Sequence, residues 1–256
     1  MVSGDAALVV DPALITERVA ALRERLVAAT IAAGRQPADV QLCLPTKTQP
    51  VELIIAALRA DAQWRTDNPQ HQLAPALIAE NRVQELVAKG PTLTELPAEL
   101  RPELHFIGPL QTNKINHALR WAAAVQTVDS ERLAGALASR VPGAEPLPVW
   151  IQVNVSGEDT KSGVAPADAA ALVKAVTDLP TLRLAGFMTI GANSPDPAEV
   201  TPGFELLRTL RDDAATRFPN LELGLSMGMS HDLELAVTAG STLVRAGSAV
   251  FGPRTP

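Results

Sequence analysis

The sequence contains no tyrosine and one cysteine, Cys43, and aromatic residues make up 3% of its 256 residues. A single cysteine cannot form an internal disulfide, and its place inside an apolar run predicts a small buried side chain. The chain also lacks a basic block, and its net charge of −6 argues against a surface that binds polyanions. We therefore expect no nucleic-acid partner.

Long apolar runs are missing as well, since no stretch approaches the roughly 20 residues that span a bilayer. The short apolar run over residues 6–10 lies between Asp5 and Asp11 and has no basic leader, which is unlike a signal peptide. The composition, with 46% hydrophobic and 20% charged residues, is typical of a folded globular protein. These features predict one domain over residues 1–256, a cytoplasmic location and no membrane partner.

Short apolar runs alternate with amphipathic segments along the chain, and we interpret the apolar runs as strands. Seven strands are clear, and an eighth is placed in the less regular segment that follows residue 60. The predicted strands are 40–44, 73–79, 104–107, 122–128, 149–155, 184–190, 221–225 and 243–246. The predicted helices are an N-terminal one over 13–33, with Gly34 at its end, and those over 51–60, 81–89, 111–121, 130–140, 166–178, 198–217 and 231–239.

The alternation of strands and helices predicts parallel strands joined by right-handed crossovers, and near-continuous apolar strands predict burial of both sheet faces. Eight such strands favour a single α/β domain, a closed (β/α)8 TIM barrel with an extra N-terminal helix. The alternative fold, an open doubly wound sheet, would lead us to expect a glycine fingerprint after the first strand. The sequence has Thr46-Lys47-Thr48 at that position instead.

Two sequences rich in glycine and serine follow the last two predicted strands: Ser226-Met227-Gly228-Met229-Ser230 and Arg245-Ala246-Gly247-Ser248. In TIM barrels, a phosphate site commonly lies in the loops after strands seven and eight. Glycine lets backbone N–H groups approach an anion and serine adds hydroxyl donors, although the same residues also make tight turns. Ser230 is expected to cap the next helix, which has Asp232 and Glu234 in its first turn. Together the two loops predict a phosphate cradle.

Lys47 follows the first predicted strand, so its amine should lie at the mouth of the barrel. Partial desolvation there favours the neutral amine, which attacks aldehydes. Arg245 ends the last strand, and a buried cation needs a partner. That partner is either a carboxylate or the pyridine nitrogen of a cofactor, which an arginine would hold unprotonated. Together with the phosphate cradle, these residues suggest bound pyridoxal phosphate.

Two other patterns in the sequence are weaker. Gly224-Leu225-Ser226-Met227-Gly228 matches the nucleophile elbow of serine hydrolases, but His231 precedes Asp232, which is the wrong order for the rest of a triad. The four histidines and Cys43 show no metal-ligand spacing, so no metal is expected. His105 opens an apolar run, and we expect it to be hydrogen-bonded within the barrel.

Six segments, spread along the chain between residues 46 and 254, carry a resemblance to a known family. They are Thr46-Lys47-Thr48-Gln49-Pro50, Glu80-Asn81-Arg82-Val83-Gln84-Glu85, the run 105–114 beginning His105-Phe106-Ile107-Gly108, Val153-Asn154-Val155-Ser156-Gly157-Glu158, Gly186-Phe187-Met188-Thr189-Ile190-Gly191, and the run 225–254. These motifs resemble those of the pyridoxal phosphate homeostasis proteins, also called the proline synthase co-transcribed family. The family is similar in fold to the N-terminal barrel domain of alanine racemase, the type III fold of pyridoxal-phosphate proteins.

The resemblance implies that Lys47 carries pyridoxal 5′-phosphate as an internal aldimine, that Asn81 lies beside the ring and that Arg245 faces the pyridine nitrogen. It also implies a monomer with a role in intracellular pyridoxal phosphate homeostasis, with apoenzymes that use this cofactor as candidate partners. The phosphate would bind Ser226, Met227, Gly247 and Ser248.

The chain departs from the family pattern at three places. Ile78 and Ala79 precede Glu80, where the family has an aromatic residue and a glycine, and the stretch before them is longer than usual. Pro109 replaces a histidine, and Gln49 replaces a basic residue. The first departure bears on the second strand and on the position of Asn81, whereas the other two bear on the rim of the site.

The absence of tyrosine bears on whether the protein is an enzyme. In the alanine racemase family one base is a lysine and the other is a tyrosine from a second domain, for which we expect no room in 256 residues. We therefore predict a non-catalytic protein that binds, stores or delivers pyridoxal phosphate. Two alternatives are a pyridoxal-phosphate-dependent amino-acid racemase or lyase with another second base, and a barrel that binds a different phosphorylated metabolite.

Overall fold

The computed structural model describes residues 11–158 and 161–253 and contains eight parallel strands in a closed barrel, each paired with the next along the chain. This confirms the predicted barrel. The apolar run over 6–10 and Arg254, at the end of the last family motif, lie outside the described residues. The strands are β1 (Gln41–Pro45), β2 (Leu77–Glu80), β3 (Leu104–Phe106), β4 (Ala124–Val128), β5 (Leu147–Gln152), β6 (Leu182–Met188), β7 (Gly224–Ser226) and β8 (Leu243–Arg245).

An N-terminal helix precedes the barrel, and helices connect and follow its strands. In the part of the chain that the structure describes, no helix is long and apolar enough to cross a membrane. Single turns of 3₁₀ helix cover Pro37–Asp39, Pro69–His71, Thr112–Lys114 and Pro166–Asp168. The α-helices are α1 (Pro12–Ala32), α2 (Val51–Asp67), α3 (Val83–Thr94), α4 (Ile115–Ala118), α5 (Glu131–Ala138), α6 (Ala169–Thr177), α7 (Pro197–Arg217), α8 (Leu233–Thr238) and α9 (Ser248–Phe251).

The bounds of two helices and one strand differ clearly from the sequence prediction. Helix α2 runs seven residues beyond its predicted end, because polar residues continue it and Arg65 pairs with Asp61 one turn earlier. The second strand is correspondingly later and shorter than predicted, starting at Leu77. The helix predicted over 111–121 has only one α-helical turn. The chain is already beside β3 at Ala123, whose N–H donates to the carbonyl of Leu104 just before β4 begins.

Two apolar cores lie on either side of the barrel wall. On β1, Leu42 and Leu44 pack outward against the helices, whereas Cys43 points into the barrel, as the period-two alternation of a strand requires. All three side chains are buried, which confirms the prediction for Cys43. The inner cluster consists of Cys43, Leu77, Ala79, Trp150, Met188 and Leu243.

A buried carboxylate attaches the N-terminal helix to the barrel. The Nε of Arg23, on α1, donates to Oδ1 of Asp61, on α2, at 2.6 Å, and both side chains are almost completely buried. The other carboxylate oxygen accepts from the backbone N–H of Ala76 at 3.0 Å and from Nε of Arg65 at 3.1 Å. Asp61 therefore links α1, α2 and the segment that enters β2.

The substitution Asp61→Asn should lower the free energy of unfolding by about 3–5 kcal/mol, because it leaves the buried guanidinium of Arg23 without its counter-charge. Chemical denaturation would measure the change. Asp178→Asn, which removes one partner of an exposed ion pair with Lys174, is the control and should change stability by about 1 kcal/mol or less. Equal effects of the two substitutions would contradict this account.

Cys43 should be unreactive in the folded protein. Burial raises the pKa of its thiol to about 12, so the thiolate fraction at pH 8 is on the order of 10⁻⁴, and only thiolate reacts readily with disulfide reagents. Because the chain has one cysteine, a thiol assay should detect none in the native protein and one equivalent in denaturant. Rapid labelling without denaturant would show that the barrel interior is open.

Candidate functional site

Lys47 lies in a turn at the C-terminal mouth of the barrel, two residues after β1 ends. The N–H of Thr46 donates to the carbonyl of Ala79, which fixes the start of the turn against β2. The side chain of Lys47 is half-buried, and its amine makes no hydrogen bond or ion pair with residues 11–158 or 161–253. By contrast, Lys89, Lys161 and Lys174 each pair with an acidic side chain.

The turn that carries Lys47 contains a non-glycine residue in the left-handed region, since Thr48 has φ +66°. Such a conformation costs on the order of 1–3 kcal/mol and persists only where neighbouring groups hold it. The N–H of Thr48 donates to Oε2 of Glu85 at 2.6 Å. The ammonium of Lys89 donates to the same oxygen at 3.0 Å, and to Oε1 of Glu80 and the carbonyl of Thr46 at 2.7 Å each.

The two carboxylates beside Lys89 have opposite pKa shifts. Burial raises the pKa of Glu80, although hydrogen bonds from Lys89 and Thr46 oppose it. Partial burial also acts to raise the pKa of Glu85, but the hydrogen bonds from the Thr48 N–H and Lys89 lower it below its usual range. Glu85 is therefore ionised at neutral pH and remains an acceptor for the turn.

Asn81 follows directly after β2, so the long preceding stretch does not displace it from the barrel mouth. Its side chain is half-buried and makes no hydrogen bond within the two described ranges. Gly108 lets the neighbouring strand end approach closely, because a Cβ there would lie 1.9 Å from the Asn81 carbonyl oxygen. Of the other departures from the family pattern, Pro109 is exposed and Gln49 is half-buried.

The loops after β7 and β8 are joined to each other. The N–H of Arg245 donates to the carbonyl of Gly228 at 3.0 Å. The hydroxyl of Ser230 accepts from the hydroxyl of Ser248 at 2.9 Å and from the N–H of Ala249 at 3.1 Å. The prediction that Ser230 caps the helix after β7 is therefore wrong, because its hydroxyl faces the second loop and α8 begins later, after Asp232.

The backbone N–H groups of Gly228, Gly247 and Ser248 have no acceptor among residues 11–158 and 161–253. Gly228 has φ +89°, and a Cβ at Gly247 would lie 2.4 Å from the carbonyl oxygen of Pro45. The second loop therefore lies directly against the end of β1, on the strand that leads to Lys47. Free N–H groups with serine hydroxyls beside them are the donor set that an anion site requires.

Arg245 is buried inside the barrel and makes no ion pair with a carboxylate among the described residues. Its Nη1 donates to the hydroxyl of Ser226 at 2.7 Å, and its Nη2 donates to the carbonyl of Thr189 at 2.6 Å. Burial lowers the pKa of this guanidinium, since it favours the uncharged form, although nearby Cys43 and Asp232 oppose the shift. The carboxylate partner that one alternative required is therefore absent from the described structure.

Ser226 and Met227 are already bonded in the barrel. Ser226 accepts from Arg245 and donates to Oε1 of Gln126 at 2.7 Å, and the N–H of Met227 donates to the carbonyl of Leu243. The anion donors that remain free come from other residues of the two loops. The role of Ser226 in phosphate binding stays a prediction, and the structure gives its hydroxyl a second role, as the acceptor for Arg245.

A hydrogen-bonded chain continues from Ser226 to the opposite wall of the barrel. The Nε2 of Gln126 and Nδ1 of His105 lie 2.6 Å apart, and Nε2 of His105 lies 2.8 Å from a carboxylate oxygen of Glu103. The prediction that His105 is hydrogen-bonded within the barrel is confirmed. Sequence reasoning missed Gln126, although a lone glutamine within an apolar strand was the available signal.

The serine hydrolase interpretation has no geometric support. The hydroxyl of Ser226 contacts Arg245 and Gln126, neither of which is a general base at neutral pH. The one ionic neighbour of His231 in the described part of the chain is Asp232, whose carboxylate lies 3.4 Å from Nε2 of the histidine. Within the described ranges, no three His, Cys, Asp or Glu side chains come together as metal ligands.

Comparison with known proteins identifies the family. The alanine racemase N-terminal domain family matches residues 70–255. A pyridoxal phosphate homeostasis protein from Vibrio alginolyticus is 40% identical over 222 residues, which are 86% of this chain and 89% of that protein. This chain belongs to the pyridoxal phosphate homeostasis protein family. The resemblance seen in the sequence is confirmed.

Solved structures agree with this membership. PipY of Synechococcus elongatus, solved with pyridoxal phosphate bound, is 31% identical, with a TM-score of 0.74 over 93% of this chain and 100% of its own. Alanine racemase from Corynebacterium glutamicum is 15% identical, with a TM-score of 0.70 over 96% of this chain and 62% of its own. The racemase comparison shows the shared barrel fold alone.

The substitution Ser226→Ala should lower the free energy of unfolding by about 1–3 kcal/mol, because it removes the acceptor for a buried guanidinium and the donor to Gln126. Thermal or chemical denaturation would measure the loss. Ser139→Ala, at the exposed end of α5, removes a hydroxyl that bonds only locally and serves as the control. If both variants kept wild-type stability, the chain through Ser226 would not be holding Arg245.

Proposed function

We propose that this chain binds pyridoxal 5′-phosphate and takes part in intracellular pyridoxal phosphate homeostasis without catalytic turnover. The observation that carries the proposal is the meeting of three features at one end of the barrel. Among the described residues, these are a lysine amine without a partner, backbone N–H groups without acceptors, and a buried arginine without a carboxylate. Relatives at 40% identity bear the name of that function, and PipY has been solved with the cofactor.

The phosphate would lie in the loops after β7 and β8. The N–H groups of Gly228, Gly247 and Ser248, which have no acceptor within the described ranges, supply donors for an anion. Ser230 accepts two hydrogen bonds, so its own proton remains to be donated. Ser230 and Ser248 are both at least partly accessible to solvent, which fits a ligand that arrives from solvent.

The pyridine ring would lie between Asn81 and Arg245. A guanidinium that stays charged keeps the ring nitrogen unprotonated, because two positive charges would repel each other at hydrogen-bonding distance. When bound, pyridoxal phosphate supplies a reactive aldehyde and a ring that can accept electrons. An unprotonated ring accepts electrons poorly, and this favours binding over turnover.

Lys47 would hold the cofactor covalently as a Schiff base. Its neutral amine adds to the aldehyde carbon, and loss of one water molecule leaves a carbon–nitrogen double bond. The amine is half-buried and unbonded within the described residues, so it need not break an ion pair before it reacts. The lack of tyrosine in the chain further supports a protein without the two-base racemase chemistry.

Addition of pyridoxal phosphate should give an absorbance band that borohydride reduction bleaches, with the reduced adduct on the peptide that contains Lys47. The chain has five lysines, at positions 47, 89, 114, 161 and 174, so peptide mass mapping can assign the site without ambiguity. Lys47→Ala should abolish the specific adduct, because Lys47 follows the strand against which the loop after β8 lies.

Lys174→Ala, which removes an exposed lysine from α6, is the matched control and should leave the adduct unchanged. An adduct scattered over surface lysines, or none, would contradict the proposal and favour a barrel that binds another phosphorylated metabolite. Turnover of an amino acid by wild type, lost in Lys47→Ala, would instead favour the racemase or lyase alternative.

Several finer parts of the sequence interpretation remain predictions. They are the single domain over residues 1–256, the monomeric state, the cytoplasmic location and the transfer of cofactor to apoenzymes. We propose them together with the binding function because they fit a carrier of a reactive aldehyde. Such a carrier must release its cargo to other proteins in the compartment where they need it.

A further inference from the structure

The ammonium of Lys89 lies beneath the turn that carries Lys47, and it joins two strand ends. One of its hydrogen bonds goes to the carbonyl of Thr46, at the end of β1, and another goes to Glu80, the last residue of β2. The hydroxyl of Thr46 donates to Oε1 of Glu80 at 2.6 Å, and this is the oxygen that Lys89 also contacts. Lys89 is 11% exposed and Glu80 is 1% exposed, so solvent screens this contact weakly.

A third bond from Lys89 reaches the turn indirectly. The carboxylate of Glu85, four residues earlier on α3, accepts from both Lys89 and the N–H of Thr48 through one oxygen. Thr48 has the left-handed backbone that a β-branched residue rarely adopts. The N–H of Gln49 donates to Thr46 within the turn, but Glu85 is the side chain that holds the strained residue itself.

This cluster fixes two groups of the proposed cofactor site at once. Lys47 lies between Thr46 and Thr48, both of which the cluster binds, while its own amine remains free. Asn81 directly follows Glu80. One ammonium ion therefore adds a side-chain link, beyond the β1–β2 ladder, between the turn of the reactive lysine and the strand end that precedes Asn81.

We propose that Lys89, acting with Glu80 and Glu85, is a positioning residue that holds Lys47 in the geometry needed for reaction with the cofactor aldehyde. The inference rests on the proposed function, since it concerns the reactivity of the same lysine. A buried ion pair contributes little net stability compared with apolar packing, whereas it can specify one arrangement. Positional errors of about 1 Å at a reacting group can reduce rates about a hundredfold.

The test compares Lys89→Met, which keeps an unbranched side chain one atom shorter and removes its charge, with Lys89→Arg, which keeps the charge. The covalent adduct on Lys47 is trapped with borohydride at increasing times after pyridoxal phosphate is added. Lys89→Met should form it at least about tenfold more slowly, and Lys89→Arg should recover part of that rate. Lys174→Met, on the exposed face of α6, should match wild type.

Two further measurements separate positioning from a general loss of structure. Pyridoxine 5′-phosphate has the ring and phosphate but an alcohol in place of the aldehyde, so calorimetry of its binding reports the rest of the site. Its affinity should change less than threefold or so in Lys89→Met. Amide hydrogen exchange at Thr48, measured without cofactor, should be faster in Lys89→Met and in Glu85→Gln than in wild type.

Slow adduct formation with retained pyridoxine phosphate binding and faster exchange at Thr48 would support the proposal. Equal loss of adduct and analogue binding would overturn it, because the effect would then be general. Unchanged adduct rates in Lys89→Met would overturn it as well. Absence of the Lys47 adduct in wild type would refute the proposed function, whereas the exchange at Thr48 would still show whether Lys89 holds the turn.

Discussion

Strand β1 pairs with β8 in parallel, with Cys43 opposite Arg245, and this pairing closes the barrel. The candidate site depends on that closure, because it places Lys47, which follows the first strand, beside the loop that follows the last strand. Gly247 can lie against the carbonyl of Pro45 because it has no Cβ, which would be 2.4 Å from that oxygen. Without the pairing, the free N–H groups after β8 would have no fixed relation to Lys47.

The interior of the barrel combines an apolar cluster with a costly charge. Within residues 11–158 and 161–253, Arg245 has only neutral acceptors, and burial of such a cation is unfavourable unless hydrogen bonds satisfy it. The chain through Ser226 and Gln126 reaches His105 on the far wall, so it connects the arginine on β8 with side chains on β7, β4 and β3. A core of this kind favours one arrangement of the barrel, since a register shift of any of these four strands would break a buried polar contact.

Side chains of the N-terminal helix also hold the segments that follow β7 and β8. Arg25 on α1 pairs with Glu234 on α8 and donates to the carbonyl of Ser230 at 2.6 Å. Arg18 donates to the carbonyl of Val250 in the last helix. The periodicity of α1 predicted this helix and its apolar stripe, but not these contacts. Long arginine side chains reach backbone carbonyls whose positions depend on how α1 packs against α8 and α9.

The sequence by itself determined the order of the elements, the closed barrel and the strand ends where chemistry is placed, because hydrophobic periodicity and turn residues are local signals. Lys47, Arg245 and the two glycine-rich loops were identifiable for that reason. Only the tertiary structure decided which polar groups are bonded to each other. Gln126 and Lys89 were not predicted, and Ser230 was assigned to the wrong helix, because each contacts residues distant in the chain. Such contacts depend on strand register and helix packing, which no local pattern encodes.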